Sequence, residues 1–146
     1  MPYVTGAEAG VEITAPNIVQ YENLKIKTID TGYARPGALV VYDTDNGHVK
    51  VADSGDAGLI GFIRKDPLLS SMTDFAAEDD VQIGHGPGAV VVLPFDATAG
   101  TVVKGNPLYV GDHGKVCKGS TDVTKIAGYA EETGSASGLL RVRLAK

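Results

Sequence analysis

The side chains best suited to holding a metal are three histidines, one cysteine and eighteen carboxylates. His48, His85 and His113 lack the short pairwise spacings of zinc sites, and the lone Cys117 supplies neither a thiolate cluster nor an intrachain disulfide. Asp43-x-Asp45-Asn46-Gly47 begins like a calcium loop, but Ser54 stands where the twelfth position needs an acid. A hairpin turn explains it better. Gly84-His85-Gly86-Pro87-Gly88 is glycine-rich, yet it runs into Val90-Val91-Val92-Leu93 with no helix start and no Lys-Ser/Thr pair to anchor a phosphate. Gly134-Ser135-Ala136-Ser137-Gly138 has the spacing of a nucleophile elbow with Ala136 in the serine position, so it reads as a turn. Neighbouring acids such as Asp79-Asp80 and Glu131-Glu132 would face opposite ways on a strand and cannot cooperate as acid and base; they read as solvated loop ends. The expectation is a protein with no catalytic residue, no metal and no cofactor. A hydrolase would have to use Asp43, Asp45 or His85, for which no motif brings base, nucleophile and orienting group together.

The elements that would carry these residues are short strands. Nineteen glycines and seven prolines in a valine-rich chain of 146 residues, without a long apolar run at helical spacing, predict an all-β domain: a small β-barrel or β-tulip of antiparallel strands. Hydrophobic residues make up 43% of the chain, enough to fill one core. Strands are expected at 38–42, 48–52, 58–64, 81–84 and 89–95, then at 101–103, 108–110, 115–118, 125–130 and 139–144. Asp43 to Gly47 and Gly111 to Gly114 have the Asn/Asp/Gly chemistry of tight hairpins. In the last strand Leu140, Val142 and Leu144 alternate with Arg141 and Arg143, which either solubilise one face or pair with acids. Laying 40–63 over 107–130 without a gap matches Tyr42 with Tyr109, Asp45 with Asp112, Gly47 with Gly114, Val49 with Val116 and Gly61 with Gly128. This is a candidate internal repeat, although Gly- and Val-rich β-proteins also give such echoes by chance.

The net charge of −5 works against phosphate-backbone binding, so nucleic acid is not an expected partner. No apolar stretch approaches the ~20 residues that cross a bilayer, and no signal-like segment opens the chain, so a soluble product of a cytoplasm, with no membrane partner, is expected. Residues 1–31 read as an extended arm preceding a barrel at 32–146, with clean alternation starting only at Leu24. Two readings of the arm stand: a loose terminus or edge strand, or a segment that orders on a neighbouring subunit through Tyr3, Val11, Ile13 and Ile18. Its deletion is expected to leave the barrel folded. Residues 66–80 lack strand character; Pro67 to Met72 and then Phe75 to Glu78 suggest a short helix. Leu68, Leu69, Met72 and Phe75 there must either cover the barrel end or dock on a partner.

The C-terminal half carries a resemblance. Val90-Val91-Val92-Leu93-Pro94-Phe95, Gly105 with Pro107-Leu108-Tyr109, Gly114-Lys115-Val116, Ile126-Ala127-Gly128-Tyr129-Ala130 and Gly138-Leu139-Leu140-Arg141-Val142-Arg143-Leu144 resemble, in order and spacing, the capsid cement or head decoration proteins of tailed phages. The match covers about 89–146, with a looser echo over 37–63; residues 66–80 and the long N-terminal stretch exceed the family pattern. The resemblance implies a structural virion protein on the outside of the expanded capsid, made in the host cytoplasm. Its implied partners are the major capsid protein and itself, as a homotrimer. The competing reading from the residues is a β-barrel module for carbohydrate or another ligand. Six tyrosines, three phenylalanines and no tryptophan give that reading few aromatic platforms.

Overall fold

The computed structural model describes residues 9–14, 19–28, 32–54, 56, 58–65, 74–96, 101–119, 125–134 and 138–146. They form an all-β structure. The strands of the first half are β1 (Glu12–Thr14), β2 (Gln20–Thr28), β3 (Leu39–Tyr42), β4 (His48–Val51), β5 (Leu59–Ile63) and β6 (Asp80–His85). Those of the second are β7 (Val90–Pro94), β8 (Pro107–Val110), β9 (Val116–Cys117), β10 (Ile126–Ala130) and β11 (Leu139–Leu144). Strands β2-β4-β3-β5-β6 close into a barrel, and β1-β7-β11-β10-β8-β9 form a second sheet.

Both sheets follow one connectivity. In the barrel, β3 pairs antiparallel with β4 and β5, β5 with β6, and β6 with β2, while β2 runs parallel to β4. In the second sheet β8 pairs with β9 and β10, β10 with β11, and β11 with β7. Phe95, the residue after β7, then bridges in parallel to Val116 of β9. The two stretches 40–63 and 107–130 thus cover equivalent strand triplets. Their hairpins differ by one residue: Tyr42 pairs with Val49 around six residues (43–48), whereas Val110 pairs with Val116 around five (111–115). Tyr42 is 62% exposed and Tyr109 only 6%, although Val41 and Leu108 beside them face the same shared core.

Burial explains why the middle strands defy simple alternation. Leu39, Val41 and Phe62 pack into a core shared with Val91, Leu93, Leu108, Leu140 and Val142 of the second sheet. Val40 and Ile63, next to them in the chain, face the barrel interior with Ile26, Val49, Val81 and Ile83. Strands β3 and β5 are therefore a wall with apolar contents on both sides, and the near-continuous apolar runs Leu39-Val40-Val41 and Phe62-Ile63 follow from that position. In β11 Leu140, Val142 and Leu144 are buried. Arg143 of that strand pairs with Glu131 and donates to the Gly88 carbonyl at 2.8 Å.

Several sequence expectations change here. Thr101 to Val103 is not a strand: Val102 is buried, but the Asn106 side chain accepts the Val103 N–H at 2.9 Å and turns the chain. Phe75 to Glu78 is a turn rather than helix, because Asp79 caps the Ala76 N–H through its carboxylate at 2.8 Å and Glu78 takes a left-handed φ of 70°. The remainder of the proposed helix, 66–73, lies outside the described residues. Glu132 is buried rather than solvated, its carboxylate accepting the Arg141 N–H at 3.1 Å; Asp79 and Asp80 are exposed as expected. The described part of 1–31 is built into both sheets, β1 against β7 and β2 between β4 and β6.

A polar latch joins β1 to the barrel. The Tyr21 hydroxyl donates to Glu12, the Arg64 guanidinium lies 4.5 Å over the Tyr21 ring and 3.4 Å from Glu12, and Arg64 also reaches Gln82 at 2.9 Å. Burial first, then the Glu12 hydrogen bond, pushes the Tyr21 hydroxyl from 10.0 up to about 12. The unfolded chain gives up this proton near pH 10 and the folded chain only near pH 12, so the stabilisation is complete below pH 10 and is lost as pH rises toward 12. Urea titrations at about pH 8 and about pH 11 are expected to show a smaller alkaline loss for Tyr21→Phe than for the wild type. Equal losses would show that Tyr21 is not the coupled group.

Candidate functional site

Of the sequence-derived contact residues, Tyr3, Ile18, Leu68, Leu69 and Met72 lie outside the described residues. Val11 is half-buried beside β7, its carbonyl accepting the Val92 N–H at 3.0 Å. Ile13 sits in β1, the strand at one edge of the second sheet, where its side chain is outside what is described. Phe75 is half-buried against the barrel core and ties its N–H to the Ala34 carbonyl at 2.8 Å, so it covers the barrel interior. Among the described residues these positions do not converge on one site.

The surface offers other apolar groups instead. Besides Tyr42, the large exposed hydrophobics among the described residues are Val103 (52%), Tyr129 (42%) and Tyr33 (37%). Tyr129 lies between Pro107 of β8 and Arg143 of β11. Aromatic and arginine side chains on flat strand surfaces are the residue types that anchor protein contacts. The barrel half also carries ion pairs: Lys25 with Asp80, Lys27 with Asp45, Arg35 with Asp74, and His48 with Glu78. Glu78, followed by the Asn46 carbonyl, raises the His48 pKa, and Arg35 holds the Asp74 carboxyl below its usual range. Each pair has at least one partner open to solvent, and such pairs contribute little to stability.

A cleft of about 260 Å³ opens where the two sheets meet. Tyr33, Arg35 and Ala38 line it from the segment leading into β3; Pro94, His113 and Lys115 line it from the second sheet. The Tyr33 and His113 rings stack with centroids 3.9 Å apart, and the Lys115 ammonium lies 5.8 Å from the Tyr33 ring centre. Its walls are fixed. His113 donates its N–H to Asp53 at 3.1 Å, Ser54 donates to Asp112 at 3.0 Å, and Gly114 donates to the Ala52 carbonyl at 2.7 Å. His113 itself holds a left-handed backbone, φ 59° and ψ 33°, at a cost of about 1–2 kcal/mol for a residue with a Cβ. Sequence reasoning missed this site because residues 33–35 and 113–115 share no local pattern; only the sheet packing brings them together.

No protein-family profile matches the chain, and no curated protein matches it either. Solved structures do. A chain of the capsid of Myoviridae phage XM1 is similar with a TM-score of 0.63 and 16% identity, covering 94% of this chain and 89% of that one. The N base of the head fiber gp8.5 of bacteriophage phi29 is similar with a TM-score of 0.52 and 14% identity, covering 86% of this chain and 93% of that one. At these identities the likeness is one of fold, and it spans both sheets.

Proposed function

We propose that this chain is a structural component of a phage head: a decoration protein that binds the outside of the expanded capsid, assembles as a homotrimer and stabilises the shell. The observation that carries the reading is the whole-chain likeness of fold to a chain of a phage capsid, over 94% of this sequence. The head-fiber likeness points the same way. Its work is adhesion rather than catalysis. The partners are the major capsid protein and further copies of itself.

The physics suits the role. A pressurised shell fails where its subunits separate, so a clamp must hold several neighbours together, each contact raising the effective concentration for the next. Two sheets sharing one core make a rigid body that loses little conformational freedom on docking. Exposed Tyr42, Tyr129 and Val103 supply apolar area on its outside. Heads of the virus that encodes the chain, prepared without it, are expected to release DNA at a lower temperature than the same heads with the protein added back. Identical release temperatures, with the protein bound, would remove the stabilising role.

A further inference from the structure

We propose that the cleft between the two sheets receives a carboxylate side chain of a neighbouring protein subunit, with Lys115 as counter-ion and the stacked Tyr33 and His113 rings as its wall. This rests on the reading of the chain as an assembling structural protein. The Lys115 ammonium makes no ion pair among the described residues; in the adjoining turn Asp53 accepts the His113 N–H and Asp112 the Ser54 N–H. Arg35, paired with Asp74 at 2.7 Å, lines the same cleft. A cation half-enclosed beside aromatic faces attracts an anion more strongly than one in open water, since the low-dielectric walls reduce screening. The cleft's volume of about 260 Å³ suits one or two side chains.

Two observations favour a single protein carboxylate over a polyanion. The chain carries a net charge of −5, which repels an extended phosphate backbone while tolerating one acid met at short range. The site is also fixed by backbone hydrogen bonds and two prolines, Pro36 and Pro94, so it is formed before its occupant arrives. A preformed pocket at a seam is the usual seat of an interface anchor.

The test is an NMR titration of the full chain with an end-capped oligoglutamate peptide, its glutamine counterpart, and glutarate as a free dicarboxylate. The glutamate peptide is expected to shift signals of Tyr33, His113 and Lys115 saturably. Binding should weaken by at least about tenfold in Lys115→Glu, where attraction becomes repulsion. Lys115→Gln should weaken it less, and Lys104→Glu, in an exposed turn, should leave it unchanged. Equal binding of the glutamine peptide, or an unaltered affinity in Lys115→Glu, would overturn the site. Glutarate binding as tightly as the peptide would overturn the protein occupant and leave a pocket for a small acid. Because the titration uses no heads, a wild-type chain that ignored heads would sink the shell reading alone.

Discussion

Gly61→Ala and Gly128→Ala are each expected to cost about 3 kcal/mol or more and to leave the chain largely unfolded at moderate urea, because neither site has room for a methyl group. A Cβ at Gly61 would lie 2.1 Å from the Gly84 carbonyl oxygen of β6, and one at Gly128 would lie 2.3 Å from the Arg143 carbonyl oxygen of β11. Both obstacles are strand backbone, which cannot rotate away as a side chain can. Relief would require parting β5 from β6 or β10 from β11, and each of those ladders joins its sheet together. Circular dichroism during urea unfolding checks this. Midpoints within error of the wild type would show that the strands yield at little cost.

Removing residues 1–31 is expected to abolish folding, reversing the expectation drawn from sequence that a barrel would survive. The cut takes away β2, which pairs with β6 from Gln20 to Lys25 and runs parallel to β4 at Lys25 to Thr28. It also deletes Ile26, fully buried in the barrel, and Val19 of the shared core. Losing one large buried aliphatic side chain alone costs about 2–5 kcal/mol. The open edges of β4 and β6 would then invite aggregation. A cut after Glu8 spares every described strand and is expected to keep the wild-type melt. Amide dispersion in NMR spectra distinguishes the two truncations. A dispersed spectrum without residues 1–31 would mean that four strands suffice.

The sequence disclosed the parts whose pattern is local. Leu140, Val142 and Leu144 showed their buried face by alternation, and the Asp43 to Gly47 turn by its composition, with Gly47 at a φ of 75°. The all-β class followed from the same signals. What stayed hidden depends on tertiary placement. Gln20-Tyr21-Glu22-Asn23 looks unlike a strand because its polar groups face solvent or the Glu12–Arg64 latch, while its backbone closes a barrel. Glu132 looked solvated because nothing nearby in sequence announces that the Arg141 N–H will meet it. The cleft needed both sheets before its residues became neighbours.

The proposed role is to supply adhesive area on a viral shell, and cosedimentation of the full chain with empty expanded heads of its proposed parent phage, beside unexpanded heads as control, tests it most directly. Saturable pelleting at a fixed ratio of chain to shell subunit, on expanded heads alone, is the predicted result. A chain that stays in the supernatant with both would contradict it.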